Sequence, residues 1–359
     1  MRLSVCTIMK NEEKNIGRMI DSCLNAGIAA KDISLVDTGS EDGSVEEAKK
    51  HGVTPSYLEW PDDFSKAKNH AISLAKNDIV LVLDADEYLE EADLKEIESL
   101  YTSLPDAFVC TITVHHRVNT GGIDNIHNET SIRLFDRRKF HYIHSVHEQV
   151  VSIDGTSFAP LASHITAAHT GYILSEEAVH KKALRNLKLL MSEHENDPND
   201  LYTIFQIGQT YLFDHDEKNA LPWFEKAMEH EASFDPANEY MQMIITGYGQ
   251  CLKLPEDKEK ALALRRFDPA FGQIPEYTFM MGSMYMTLQM WGEACGMFMR
   301  CISLKENRLH GATSFFPYHN LGVISELLGE KEIAKNFYRM AGDYKRSADR
   351  LKELEEEQV

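Results

Sequence analysis

Apolar residues follow two rhythms along this chain. Up to about residue 150, short apolar runs (Leu3–Met9, Ile33–Asp37, Ile79–Asp84 and Ala107–Val114) alternate with stretches whose apolar residues recur every three or four positions (Asn15–Ala26, Ser44–His51 and Phe64–Ala75). The runs have the length of buried strands, and the stretches have the period of surface helices. This alternation predicts an α/β domain built on a mostly parallel sheet with helices on its faces. Ligands of such sheets gather at the carboxyl ends of the strands, so the residues just after each run are the chemical candidates.

From about residue 176 the strands stop and a repeat begins. Gly208, Ala220 and Phe224 recur at the same intervals as Gly282, Ala294 and Phe298, and again as Gly322, Ala334 and Tyr338. Gly249 and Ala261 give a weaker fourth copy, with Arg265 in the aromatic position. Small residues that let two helices close up, followed by an aromatic wedge, are the pattern of tetratricopeptide repeats; a plain helical bundle is the bland alternative. The copies are unevenly spaced, so the repeats are degenerate. Met280, Met281, Met284, Met286, Met290, Met297 and Met299 crowd one copy and suit a forgiving core or, less well, a surface for a flexible partner. Lys345–Val359 is charged and helix-prone and reads as a solvated cap. Two domains are expected, 1–175 and 176–359, the second all-α.

Composition narrows the function. The 359 residues hold 37 Lys+Arg against 57 Asp+Glu, a net charge of −20 that repels nucleic acid and anionic membranes. Cys6, Cys23, Cys110, Cys251, Cys295 and Cys301 form no CxxC pair and read as reduced thiols. The apolar run before Lys10 is too short for a secretion signal, and no stretch reaches the length of a membrane span. A soluble, cytoplasmic protein is expected.

The sharpest chemical element is Ile79–Leu83 leading into Asp84-Ala85-Asp86-Glu87. Two carboxylates two residues apart at a strand end point to one side, where they can share Mg²⁺ or Mn²⁺ with substrate phosphates. A polar loop after a strand is the plain alternative. Leu3–Met9 runs into Lys10-Asn11-Glu12-Glu13, and the next strand runs into Asp37-Thr38-Gly39-Ser40-Glu41-Asp42-Gly43. There Asp37 is placed to meet ribose or base edges, although good helix capping explains the same residues. Trp60–Asn69 opens a helix with Lys66 and Lys68 near its start, facing an anion or simply solvated. Of sixteen histidines, His115, His116, His127, His141, His144, His147, His164 and His169 fall close together, yet no spacing matches a zinc motif.

In order and spacing, the blocks CTIMKNEEKNI, VDTGSEDGS, WPDDFSKAKN and LVLDADEYL resemble glycosyltransferase family 2, in the branch with C-terminal tetratricopeptide-like repeats. SIRLFDRRKFHYIHSVHEQV (Ser131–Val150) is similar to that family's RLF…VHE segment, and HTGY (His169–Tyr172) and KKALRNLKLL (Lys181–Leu190) are similar to its linker. The layout is also similar to that of peptide S-glycosyltransferases that modify bacteriocins. The resemblance implies a GT-A fold with a Rossmann-like sheet. It implies Thr7 and Glu12 lining the base and ribose pocket, Asp37 on the nucleoside, Lys68 and Asn69 lining the donor site, and Asp84 contacting the donor or a metal-bound water. Asp86 would be the principal ligand of Mg²⁺ or Mn²⁺, His147 an additional ligand and Glu148 the general base. One departure is Asp37-Thr38, where many members carry two consecutive acidic residues, so base recognition stays open.

The chain also lacks the Gln-x-x-Arg-Trp motif of processive synthases, which favours transfer of a single sugar. The resemblance thus implies a metal-dependent inverting enzyme that moves a sugar from a nucleotide diphosphate, UDP-linked, to a peptide or protein acceptor. A cell-envelope saccharide or lipid-linked acceptor is the alternative. A catalytically dead repeat scaffold is the alternative of another class, against which the retained Asp84, Asp86 and Glu148 argue. Repeat grooves hold peptides and mediate self-association, so a peptide partner and a homodimer are expected.

Overall fold

The computed structural model describes residues 3–103, 108–120, 123–169 and 176–356, with the side chains of 117–127 and 176 outside the description. Ala107, the side chain of His127 and residues 170–172 of the HTGY block therefore fall outside it. The chain folds as two compact units, Met1–Glu195 and Asn196–Val359. The change of pattern along the sequence predicts a break at 175/176, twenty residues earlier.

The first unit holds an eight-stranded sheet. In chain order its strands are β1 (Leu3–Met9), β2 (Ile33–Asp37), β3 (Ser56–Tyr57), β4 (Ile79–Val82), β5 (Glu87–Glu91), β6 (Val109–Thr120), β7 (Ile123–Asp136) and β10 (Leu161–His169), while β8 (Phe140–Ile143) and β9 (Gln149–Ser152) form a separate hairpin. The spatial order is β3-β2-β1-β4-β7-β6-β10-β5. Pairing directions leave six strands pointing one way and only β7 and β5 against them, so the sheet is mostly parallel, as the alternation predicts. The first two apolar runs are strands at the expected residues, and the third is a strand to Val82, its Leu83 amide still bonded to the Cys6 carbonyl at 3.2 Å before the turn from Asp84 to Glu87.

Alternation along β1 builds two cores. Leu3, Val5 and Met9 pack with Ile16, Met19, Ile20 and Cys23 of α1 (Ile16–Asn25), Ala48 of α2 (Ser44–Lys50) and Ile97 of α4 (Leu94–Ser103). Cys6, on the other face, packs with Val36, Val80 and Val82, with Ala71 and Ile72 of α3 (Phe64–Ser73), and with Phe140, Tyr142 and Val150 of the hairpin. Burial on both faces explains why the parallel strands read as continuous apolar runs. α5 (Glu176–Asn196) belongs to this unit: Lys188 pairs with Asp62 at 3.4 Å, and the Arg185 guanidinium lies 5.2 Å from the centre of the Phe64 ring.

The second unit is helical. α6 (Leu201–Phe213) precedes α7 (Glu217–Met228), and α8 (Glu239–Cys251) precedes the short α9 (Lys258–Ala263) and α10 (Asp268–Phe271). Then α11 (Pro275–Thr287) is followed by α12 (Trp291–Ile302), α13 (Phe315–Leu327) by α14 (Lys331–Met340), and α15 (Lys345–Glu356) closes the chain. In each of three pairs the predicted glycine faces the predicted aromatic: Gly208 meets Phe224, Gly282 meets Phe298, and Gly322 meets Tyr338. The fourth copy departs from the pattern. α9 lasts only six residues, Arg265 is exposed, and Leu264, Phe267 and Phe271 fill the wedge. Met280, Met281 and Met284 are buried and Met299 is exposed, so the methionines mostly serve the core. No helix among the described residues is long and apolar enough to cross a membrane.

Candidate active site

Because β1, β2 and β4 run parallel, their carboxyl ends open at one edge of the sheet. The loops that follow β1 and β2 are stitched together there. The Glu12 amide donates to Ser44 Oγ at 2.7 Å, the Glu41 amide to Asn11 Oδ1 at 2.8 Å, and the Asn11 amide to Ser40 Oγ at 3.0 Å. Asp37, buried at the end of β2, turns back on its own loop and accepts from the Ser40 amide at 3.2 Å. Partial burial pushes the Glu12 carboxyl above its usual range, although its bond from Asn15 opposes this. Thr7 is buried mid-strand, and its Oγ1 has no hydrogen-bond partner.

The turn after β4 delivers Asp84 into a cationic clamp. Its Oδ1 lies 3.1 Å from Lys68 Nζ, and its Oδ2 lies 3.1 Å from Arg133 Nη2. Lys68 also reaches Glu148 Oε1 at 3.2 Å, so one buried ammonium joins the strand-end carboxylate to the VHE carboxylate. Burial pushes Asp84 up, but Arg133 and Lys68 outweigh it and hold its carboxyl far below the usual range. Burial likewise works against the Lys68 ammonium, and Asp84 with Glu148 more than restores it. Asn69, next on α3, is committed elsewhere: its amide exchanges two hydrogen bonds, at 2.8 and 3.0 Å, with the backbone of Tyr142 and so pins the hairpin beside Lys68.

Lys68, Glu129, Ser131, Arg133, Tyr142, His147, Glu148 and Gln149 are among the residues lining a cleft of about 580 Å³. Glu87, buried behind Asp84, has its carboxyl pushed up to about 7 by burial, against the pull of Arg133. Desolvation in the cleft, with Lys182 and Arg185 nearby, lowers the pKa of the otherwise exposed His147 against the pull of Glu148 and favours the neutral ring.

Two residues here escape the sequence reading as site members. Arg133 lies on β7, which runs against β4 with Leu81 opposite Leu134, so the reversed strand carries Arg133 to the carboxyl edge. Its Nη1 is buried without a hydrogen-bond partner. His169 ends β10 opposite Glu87, and its Nε2 lies 3.0 Å from Asp86 Oδ2. That bond raises the His169 pKa. Its Nδ1 meets His116 Nδ1 at 3.1 Å, and His116 Nε2 meets Glu129 Oε2 at 2.9 Å, so a chain of side chains fixes the ring from behind.

The donor chemistry fits a divalent cation at Asp86. A carboxylate and an imidazole converge there, and Mg²⁺ or Mn²⁺ completes its shell with waters and substrate phosphates. Among the described residues no group of three or more His, Cys, Asp or Glu converges to hold a metal ion. The imidazole that reaches Asp86 is His169, while His147 lines the cleft beside Glu148. Asp84, with both oxygens taken by cations, is placed to orient those cations.

Residues 4–161 match Glycosyl transferase family 2. A TPR repeat-containing protein of Synechococcus elongatus is 26% identical over 252 residues, 67% of this chain and 59% of that one. The SPbeta prophage-derived glycosyltransferase SunS of Bacillus subtilis is 24% identical over 244 residues, 66% of this chain and 56% of that one. Each match thus spans less than two thirds of the relative. An uncharacterized glycosyltransferase of Rickettsia prowazekii is 35% identical over 102 residues, 28% of this chain and 34% of its own. Among solved structures, MamA overlays with a TM-score of 0.39 at 15% identity, covering 50% of this chain and 99% of that one, a likeness too loose to add to the helices described above. The segment that matches glycosyltransferase family 2, residues 4–161, carries Asp84, Asp86 and Glu148 on a GT-A-like sheet, and tetratricopeptide-like helices follow it in the chain.

Proposed function

We propose that this protein is a metal-dependent inverting glycosyltransferase that moves one sugar from a UDP-linked donor to a peptide or protein acceptor. The observation that carries the reading is the Lys68 bridge, which couples the carboxylate after β4 to Glu148 across a polar cleft. On this reading Asp86 and His169 hold Mg²⁺ or Mn²⁺, which when bound draws charge from the departing diphosphate. Arg133 and Lys68 add positive charge beside that leaving group. Glu148 takes the proton from the acceptor nucleophile as it attacks the anomeric carbon from the face opposite the diphosphate. Thr7, Glu12 and Asp37 stand around the nucleoside, and Asn69 holds the hairpin that carries Glu148.

The helical unit supplies the peptide acceptor surface on the same reading. Leu327, Leu328, Ile333 and Met340 are exposed on and just after α13 and on α14, and a self-associating homodimer would cover them. Light scattering at micromolar concentration is expected to give twice the chain mass, and a strict monomer removes the dimer.

Release of UDP from a panel of UDP-sugars by the purified protein tests the chemistry. Glu148→Gln is expected to lower turnover by ~10²–10⁴ with donor affinity near wild type. Asp86→Ala and EDTA are each expected to abolish turnover, and Mg²⁺ or Mn²⁺ is expected to restore the EDTA-treated wild type. Full activity in EDTA removes the metal. The other carboxylates nearby in sequence are occupied: Asp136 is held by Arg138, and Asp154 caps its own turn through Thr156.

A further inference from the structure

Residues 144–148 connect β8 to β9 and carry Glu148. One side chain outside the hairpin grips this connection. Glu193 Oε1 lies 2.6 Å from His144 Nδ1, and Glu193 Oε2 accepts from the Ser145 amide at 2.8 Å and from Ser145 Oγ at 2.7 Å. Glu193 sits in the last turns of α5, well beyond the segment that matches the family.

The connection needs such an anchor. His144 and His147 both stand in the left-handed region, with φ +69° and +55°, which side chains adopt only where surrounding contacts hold them. Ser145 is held from two helices: its amide by Glu193 of α5, and its carbonyl by the Phe64 amide of α3 at 2.8 Å. Three residues later Glu148 returns to α3 through Lys68. His144 and Ser145 also keep the Glu193 carboxylate ionised, drawing its pKa below the usual range although partial burial opposes them.

We propose that Glu193 is a positioning residue for the reaction: from α5 it fixes the His144–Glu148 connection so that the Glu148 carboxylate faces the cleft. The proposal rests on Glu148 acting as the base. It assigns the helix between the family segment and the repeats a part in catalysis.

The test uses the full chain and UDP release from UDP-glucose and UDP-N-acetylglucosamine. It compares Glu193→Gln, Ser145→Ala, Glu148→Gln and the double variant Glu193→Gln/Glu148→Gln. Glu193→Gln is expected to lower kcat ~10–100-fold with the donor KM within about twofold, as a displaced catalytic group does. Ser145→Ala, which loses one of the three contacts, should fall between it and wild type. The double variant should be no slower than Glu148→Gln alone, because Glu193 acts through Glu148. Wild-type kcat in Glu193→Gln, or an additive loss in the double variant, overturns the positioning role while leaving the base in place. A Glu148→Gln variant that turns over normally overturns the base itself. Hydrogen exchange gives a readout free of turnover: amides of 143–149 should exchange faster in Glu193→Gln at an unchanged melting temperature. Unchanged protection overturns the anchor.

Discussion

Lys68 holds two carboxylates at once, and that sets what its loss does. Removing the ammonium leaves Asp84 paired with Arg133 and strips the half-buried Glu148 of its salt bridge. Breaking a buried pair on one side typically costs ~3–5 kcal/mol. Lys68→Met is therefore expected to lower the unfolding free energy of the first unit by about that amount, read from a urea titration, along with its turnover. In the helical unit Glu326 accepts from Arg350 Nη2 at 2.7 Å and from the Tyr338 hydroxyl at 2.5 Å. Arg350 is the largest cause of its lowered pKa, and burial opposes it. A carboxyl with a depressed folded-state pKa stabilises fully above its unfolded value and loses that stabilisation as pH falls through the folded value. Melting temperatures of wild type and Glu326→Gln should thus differ at pH 7 and draw together as the pH falls below the unfolded carboxyl's value of about 4.3. At this scale the sequence is readable where residues come in dense blocks, as with Asp84, Asp86, Lys68 and Glu148. Arg133 and His169 are not, because their relevance depends on a reversed strand and on a ladder partner far away in the chain, neither of which leaves a local pattern.

Among the elements, the repeat spacing is the most legible feature, since a glycine facing an aromatic across a helix pair is a purely local demand. A Cβ on Gly282 would sit 2.7 Å from Phe298, and one on Gly322 would run into Tyr338, whereas one on Gly296 of α12 meets nothing within 4 Å. Gly282→Ala and Gly322→Ala are expected to cost ~1–3 kcal/mol through overpacking. Gly296→Ala should instead stabilise by ~0.5–1 kcal/mol, because an exposed helical glycine only adds chain entropy to the unfolded state. Circular dichroism melts of the three variants check the contrast. The fourth copy misleads: Gly247 presses on Phe224 of the preceding pair while Gly249 faces Met280, so the expected spacing catches the wrong glycine. α5 is legible as a helix but not in allegiance, since its polar surface hides the contacts of Arg185, Lys188 and Glu193 with the first unit.

Across the whole chain, the place where the first unit ends has a practical consequence. A chain cut after Ser175 loses α5 and with it Glu193, whereas one cut after Asp200 keeps both. The longer piece is expected to release UDP from its donor at a rate within a few-fold of the full chain. The shorter is expected to fall at least ~10-fold below it, as a site loses its supporting contacts. Equal rates for the two pieces would show α5 to be dispensable.

The sheet itself has a further consequence at its margins. One border is β3, only two residues long, and the other is β5, whose five residues include Glu87, Glu90 and Glu91. A two-residue border offers too little backbone to template another chain, and the other border is short and ends in the exposed Glu91. The eight-stranded sheet therefore has two short borders, and concentrated solutions of the first unit should resist the edge-to-edge growth that ends in fibrils.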